Sequence, residues 1–276
     1  MNHGPRFALS VRLFCTIFPL WLTIRPEEYI YTFEKLPALV DELLAWMKVQ
    51  TPLEFLFFVF CLGPQNGKPY LILSGFGNFS AEDGERLWGR FLKLGPIASK
   101  TAQLPYNTYT AAADEYTVGS GNKLACGSHF NHFDYETVKK ACDMILAITP
   151  KAPASVVLWE FYYYDLVSTV PMEATAFPQR TKDKTAAVAL YGFDDAWLPE
   201  ARKAMEEIQA VLSSSSTGSA RTSIGYLNYA DTLASENETD TNARRAFGSN
   251  YPRLQELKRK YDPEMVFNKW FCIRPA

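Results

Sequence analysis

The sequence predicts an α+β fold, an antiparallel β-sheet with helices packed on one of its faces. Apolar and aromatic runs of strand length recur at 53–62, 70–76, 123–130, 155–164 and 186–193, bounded by polar or Gly/Pro punctuation. Segments with helical spacing lie at 31–49, 80–94, 134–148 and 198–212. The resulting order is hairpin, helix, strand, helix, strand, strand, helix, which suits a layer of helices on one side of an antiparallel sheet.

Each element has a local reason. After an extended opening segment over 7–23, Leu36, Leu39, Val40, Leu43, Leu44 and Met47 form one apolar stripe within the first helix. Pro52 and Gly63-Pro64 bound the run Leu53 to Leu62, which pairs with Tyr70 to Phe76 across a turn at Gly63 to Lys68. Ser80 is placed to cap the next helix, with Asp83 three residues on, where a carboxylate favours the positive helix end. In the helix 134–148, Val138, Ala141, Cys142, Ile145 and Leu146 face inward. Ser213 to Ser219 is a low-complexity turn after the last of these helices.

With 276 residues and 47% apolar side chains, the chain can bury the core of one large domain or one and a half. A net charge of −2 and no basic run argue against a nucleic-acid surface. The 19 Phe, 15 Tyr and 6 Trp suit a Phe-rich sheet core, with some Tyr and Trp lining a pocket for a flat apolar molecule. The five cysteines, Cys15, Cys61, Cys126, Cys142 and Cys272, are odd in number and far apart, so neither a disulfide framework nor a metal site is expected. A reducing compartment fits that pattern, and a cytoplasmic setting is the expectation because the sequence shows no clear targeting signal. The apolar run Leu13 to Ile24 is interrupted by Pro19, is too short for a bilayer, and is followed by Arg25-Pro-Glu-Glu rather than a cleavage site. It reads as buried strand, and no membrane partner is expected. Asn78-Phe-Ser80 and Asn237-Glu-Thr239 match the glycosylation sequon without by themselves indicating secretion.

Candidate chemistry centres on the run 155–164. Strand alternation puts Val157, Trp159, Phe161 and Tyr163 on one face and Leu158, Glu160, Tyr162 and Tyr164 on the other. The first set is apolar and should meet the helices. The second sets a carboxylate between an aliphatic side chain and two phenols, where desolvation raises its pKa towards that of a working acid or base. Pairing of Glu160 with a Lys or Arg on a neighbouring strand is the alternative. His129 follows Lys123, Ala125 and Gly127 on one face, and those small residues leave room above the sheet for a hydrogen-bond donor or proton shuttle; a structural histidine is the other reading. His132 lies three residues on with no third ligand nearby, so no metal is expected. Tyr106 and Tyr109 are expected to form a lid or pocket wall. Gly75-Phe-Gly77 is too sparse for a dinucleotide loop.

The carboxy-terminal residues add a resemblance. They read Ile224-Gly-Tyr-Leu-Asn-Tyr-Ala-Asp231, Gly248-Ser-Asn-Tyr-Pro-Arg-Leu254 and Leu257-Lys-Arg-Lys-Tyr-Asp-Pro-Glu-Met-Val-Phe-Asn268. This closely resembles the carboxy-terminal signature of the berberine-bridge-type FAD-linked oxidases, especially fungal ones. There an N-Y-x-D strand lies beside the flavin and an N-Y-x-R-L helix end follows. Met172-Glu-Ala-Thr-Ala-Phe-Pro-Gln-Arg180 is similar to the family's A-T-A-F-P-x-R segment, and Arg6 to Phe14 resembles the last strand of its flavin domain.

The resemblance implies a remnant entry strand of the lost flavin domain over 1–25, a substrate-type α+β domain over 26–222 and a return segment over 223–276. The amino-terminal domain that holds FAD, with its Gly-rich loop and His and Cys tethers, has no counterpart in this sequence. The expectation is therefore no cofactor. Glu160 resembles the family's catalytic base. Asn228, Tyr229 and Asp231 match its flavin-side strand, with ordinary packing and turn roles as the alternative. The function so implied is a natural-product tailoring enzyme performing cofactor-independent cyclisation, cycloaddition or isomerisation of a hydrophobic polyene or aromatic intermediate. Glu160, His129 and Tyr162 are its candidate catalytic residues. Leu158, Tyr164, Tyr106, Tyr109, Asn228 and Tyr229 are its candidate substrate contacts. A homodimer would cover the face left by the missing domain. The alternatives are an FAD-linked oxidoreductase half that needs a separate FAD-binding chain, and a non-catalytic paralogue.

Overall fold

The computed structural model describes residues 23–276 apart from 64–65, 78–79, 103, 106–120, 219–224, 230–235 and 270. The opening segment 7–22, Tyr106, Tyr109, Ile224 and Asp231 lie outside the described residues. Strands β1 (Thr23–Thr32), β2 (Glu54–Leu62), β3 (Pro69–Gly77), β4 (Ala98–Thr101), β5 (Leu104–Pro105), β6 (Asn122–Phe130), β7 (Val156–Phe161) and β8 (Lys184–Phe193) form the sheet. Its order is β4-β1-β3-β2-β7-β8-β6, with β5 also paired to β1. Every pairing is antiparallel. Helices α1 (Leu36–Met47), α2 (Ala81–Leu92), α3 (Tyr135–Ile148) and α4 (Leu198–Ser214) cover one face, and α5 (Glu236–Phe247) and α6 (Tyr251–Tyr261) follow in the carboxy-terminal part.

The α+β layer expected from the sequence is the observed one. Val157, Trp159 and Phe161 of β7 are buried in the same cluster as Phe58 and Phe60 of β2 and the helix residues Leu39, Leu43, Val138 and Ile145. Aromatic rings make up the middle of this layer: Phe58 stacks on Trp159 with centroids 5.4 Å apart, and Phe133 meets Phe161 edge-on at 5.3 Å. Such pairs contribute about 0.5–1.5 kcal/mol each beyond their burial. Ser80 accepts a hydrogen bond from Asp83 N and caps α2; Asp134 caps α3 the same way through Thr137 N.

Three expectations change. The helix anticipated from Tyr31 starts only at Leu36, because Tyr31 belongs to β1. Its buried phenol donates to Phe91 O at 2.9 Å, tying the strand to the end of α2. The sequence pattern predicts no strand over 25–32, whereas β1 pairs with β3 from Arg25 to Thr32. Finally, β7 ends at Phe161 rather than Tyr164. Gln50 Nε2 donates to the Phe161 carbonyl at 2.9 Å and Lys184 Nζ to the Tyr162 carbonyl at 2.8 Å, and the chain then enters a helical turn at Asp165–Ser168. Tyr163 accordingly leaves the core face and is 39% exposed.

The carboxy-terminal part packs by polar contacts. Asn250, buried at the start of α6, donates from Nδ2 to the carbonyls of Met172 and Thr175 at 2.9 and 3.1 Å. Tyr251 is buried, donates to Asp240, and carries the Arg244 guanidinium 4.6 Å from its ring centre. Past α6, Asp262 accepts from the amides of Val266 and Phe267 at 2.8 and 3.1 Å, which forms the turn of the Tyr-Asp-Pro sequence.

Removing the α3 cap tests this account. Asp134→Ala should destabilise the protein by about 1 kcal/mol in urea unfolding, whereas Asp134→Asn should cost only a fraction of that, because Asn also caps.

Candidate functional site

The sheet face opposite the helices carries the candidate chemistry. Cross-strand register places Phe57, Glu160, Thr185 and His129 in one row over β2, β7, β8 and β6. Residues directly opposite in antiparallel strands share a face, so this row confirms the alternation that put Glu160 away from the helices. Phe55, Phe57 and Tyr162 build an aromatic wall beside it, with Phe55 4.4 Å from Phe57 and 4.5 Å from Tyr162 between ring centres. Leu158, half-buried, lies on the same face two residues before Glu160.

Glu160 is buried, and Tyr229 donates its phenolic hydrogen to Glu160 Oε1 at 2.6 Å. The alternative of a Lys or Arg partner is not what forms among the described residues. Burial pushes the Glu160 carboxyl up to about 7, and the Tyr229 hydrogen bond opposes that rise without cancelling it. Tyr229 is itself raised above the ordinary phenol range, first by burial and then by the neighbouring carboxylate. The two groups therefore hold one proton in place and place a second within reach of neutral pH.

Tyr229 reaches this position by a close backbone approach. The space above Gly127, expected to be open, is filled: a Cβ on Gly127 would come 3.2 Å from Tyr229 Cβ and 3.4 Å from Tyr226 N. Opposite it, Gly225 has φ +77, and a Cβ there would come 2.3 Å from the carbonyl carbon of Gly127. Only glycine fits at Gly225, for both reasons. From that contact the chain turns through a short 3-10 turn, Leu227–Tyr229, closed by Tyr229 N donating to Tyr226 O at 2.9 Å. The Asn-Tyr pair thus sits in a turn rather than in the strand that the family resemblance implies.

The other sequence candidates separate into neighbours and bystanders. Tyr164 feels the Glu160 charge and hydrogen-bonds Thr185; burial is the main cause that raises its pKa. Tyr162 packs its ring on Phe55 and, at 5.7 Å, on Tyr164, and is 37% exposed; it is a wall residue, not a direct partner of the carboxyl. His129 faces the same side as Glu160 but two strand spacings away, roughly 10 Å, with Thr185 between. Burial lowers its pKa, with Asp183 pulling it the other way. Asn228 is exposed and donates to the Tyr226 hydroxyl at 2.7 Å, so it faces away from the pair.

His129 instead lines a cavity of about 300 Å3 with Met172, Gln179, Asp183, Leu227 and Arg245 among its walls. Sequence reasoning missed Gln179, Lys184 and the paired glycines. The one available signal was Gly225 directly before the Tyr-Leu-Asn-Tyr run. Lys184 is brought down to about 8 by burial, and its ammonium lies 5.9 Å from the Tyr164 ring centre. No cluster of three or more metal-ligating side chains occurs among the described residues.

Comparison with known proteins bears on the fold and on the carboxy-terminal segment. Residues 225–270, which contain Gly225, Tyr229 and the Asn250 contact, match the family described as Berberine and berberine like. This segment is berberine-like. The FAD-linked oxidoreductase pgmH of Aspergillus terreus is 35% identical over 130 residues, 41% of this chain and 23% of that protein. A second pgmH from the same species is 32% identical over 127 residues, 24% of its length. Berberine bridge enzyme from Eschscholzia californica superposes with a TM-score of 0.65 at 14% identity, covering 92% of this chain and 55% of that one. Physcomitrella patens BBE-like 1 gives 0.68 at 14% identity with the same coverage.

The berberine-like resemblance read from the sequence is thus borne out in the carboxy-terminal segment, and the sheet-and-helix layer is that of berberine bridge enzymes. The chain spans about a quarter of the curated relatives it matches and just over half of the solved ones. FAD is the group that these relatives imply. Among the described residues, Ser80, Asp134 and Asp194 already occupy amides at helical amino termini, and α1, α4 and α6 carry Pro in their first turn. Those ends do not fit a pyrophosphate, which needs a set of free backbone N–H groups.

The raised Glu160 pKa makes a stability prediction. A folded-state value of about 7 against about 4.5 unfolded means the folded chain binds more protons between those limits. The associated stability is present below pH 4.5 and is lost as pH rises through 7. Glu160→Gln keeps an acceptor for Tyr229 and removes the ionisation. Its stability relative to the parent should therefore grow between pH 5 and 8, by up to about 3 kcal/mol, in urea unfolding series at the two pH values.

Proposed function

We propose that this chain carries a proton-transfer site for a hydrophobic small molecule and performs an isomerisation or cyclisation there without a cofactor. The hydrogen bond between buried Glu160 and Tyr229 supports this reading. Both residues belong to the described chain, and the carboxyl titrates near neutral pH, where a general base works best. The aromatic wall of Phe55, Phe57 and Tyr162 favours a flat apolar ligand over a charged one.

In the proposed step the ionised Glu160 takes a proton from a carbon acidified by a neighbouring carbonyl. The C–H bond breaks, an O–H bond forms on Glu160, and the electron pair moves into the conjugated system. Return of that proton to a different carbon gives the isomer; attack by the carbanion on a second carbonyl carbon of the same molecule closes a ring, the displaced C=O π pair going to that oxygen, which takes the proton back from Glu160. Tyr229 stabilises the ionised Glu160 carboxylate by its hydrogen bond before the proton is taken and after it is returned. Placement of a polyene against the wall contributes by restricting its conformations.

A second reading is an FAD-linked oxidoreductase whose flavin is held by residues outside those described. The 35% identity to FAD-linked oxidoreductase pgmH favours it. There the same pair would accept the substrate's proton. Purified protein incubated with FAD and freed of excess tests the first reading: retained flavin absorption overturns it, whereas a colourless protein fits both a flavin-free enzyme and a half that needs a separate FAD-binding chain, which mass in solution then helps to separate.

The acid–base assignment is tested by deuterium exchange from heavy water into a panel of hydrophobic unsaturated ketones, followed by mass spectrometry. Glu160→Gln should reduce exchange by at least about 100-fold. Tyr229→Phe should reduce it less and move the rising limb of the pH profile above 7, because the hydrogen bond that lowers the carboxyl's pKa is gone. Exchange at the parental rate in Glu160→Gln would remove Glu160 from the mechanism.

A further inference from the structure

Tyr229 belongs to an arm of the chain that meets the sheet through two glycines and receives a hydrogen bond from the Gln179 side-chain amide on its outer side. On the sheet side, Gly225 lies against the backbone of Gly127, and Gln209 Nε2 from α4 donates to Gly127 O at 2.5 Å. On the outer side, Gln179 Nε2 donates to Gly225 O at 2.9 Å. Gln179 comes from the strap 172–183, which Asn250 fastens through the carbonyls of Met172 and Thr175. The contacts run in series: Asn250 holds the strap, Gln179 holds Gly225, and the turn from Tyr226 carries the Tyr229 hydroxyl to Glu160.

We infer that Gln179 is a positioning residue for the Glu160–Tyr229 pair, acting through the Gly225 carbonyl. It rests on the proton-transfer reading of that pair and deepens it. Gln179 makes no described contact with Glu160 or Tyr229, so its influence passes through the backbone of the Gly225–Tyr229 turn.

The physical case is one of lever length. A 2.6 Å hydrogen bond between oxygens weakens steeply when its geometry opens. Gly225 has the widest backbone freedom of any residue type. Its φ of +77 must therefore be held by its neighbours. Gln179 supplies the outer restraint, and the surface of Gly127 supplies the inner one. Among the described residues, the groups that bear on the Glu160 carboxyl are Tyr229, by hydrogen bond, and Tyr164, by charge; Thr185 and Phe57 flank it on the neighbouring strands. Of these, only Tyr229 is carried by the arm.

The test reads the carboxyl itself, not turnover. Isotope-edited infrared titration of glutamate-labelled protein identifies the Glu160 band by its disappearance in Glu160→Gln. Tyr229→Phe should move the midpoint of that band upward, and Gln179→Leu should reproduce at least half of the shift. Gly127→Ala, whose new methyl pushes on Tyr229 from below, should shift it in the same direction and serves as the second variant if Gln179→Leu folds poorly. The deciding measurement is the double variant: Gln179→Leu in the Tyr229→Phe background should add no further shift, because the route through Tyr229 is already cut. An unshifted midpoint in Gln179→Leu, or a further shift in the double variant, overturns the inference. Neither result depends on whether Glu160 catalyses a reaction, so failure of the proton-transfer reading would be seen separately, in the exchange assay.

Discussion

The contact between Gly225 and the backbone of Gly127 is the constraint from which the site follows. A Cβ at Gly225 would meet the Gly127 backbone at 2.3 Å and force the arm off the sheet, and one at Gly127 would press on Tyr229 Cβ at 3.2 Å. Tyr229 would then lose its place above β6, and Glu160 would be left buried without a partner. A buried, unpartnered carboxyl stays protonated or forces local rearrangement. The two glycines therefore set whether Glu160 is a reactive acid or a packing defect. Neither glycine does chemistry, and both lie outside the list of groups that chemistry alone would nominate.

Opposed effects of unequal size then fix the behaviour of the carboxyl. Burial raises the Glu160 pKa and the phenol hydrogen bond lowers it; burial wins, leaving a value of about 7. A cation in place of Tyr229 would have reversed the balance and produced an ion pair inert across the physiological range. The nearby buried ammonium, Lys184, does not fill that role because its Nζ is turned to the Tyr162 carbonyl and to Gln50 Oε1. Those same contacts end β7 at the point where the aromatic wall begins. Sheet termination and site construction are thus the same event in this chain.

The sheet was legible wherever hydrophobic runs were long. β2, β3, β6, β7 and β8 came from apolar segments whose burial nearly dictates extended structure between helices. β1 was harder to see: its sequence, Thr-Ile-Arg-Pro-Glu-Glu-Tyr-Ile-Tyr-Thr, carries a proline and adjacent carboxylates. It is a strand because β3 and β4 flank it and because Glu27, though buried, accepts from Tyr29 and Thr101 hydroxyls. β4 is short and wholly exposed at the sheet edge, so it has no hydrophobic signal at all. The site divided similarly. Glu160 was identifiable as a carboxylate on the polar side of an alternating strand, but its partner was not, because Tyr229 is 69 residues away along the chain.

From the sequence alone came the periodicities, and with them the helices, most strands, the face on which Glu160 stands and the likeness of the last fifty residues to berberine-type proteins. These are local properties, since a strand's alternation and a helix's stripe repeat within a few residues. The tertiary structure decided that Tyr229 rather than a cation meets Glu160, that the space above Gly127 is filled, that His129 faces a separate cavity, and that Gln179 restrains the arm. Those outcomes depend on which segments cross the sheet and how closely their backbones approach, and short-range patterns carry no record of such distances.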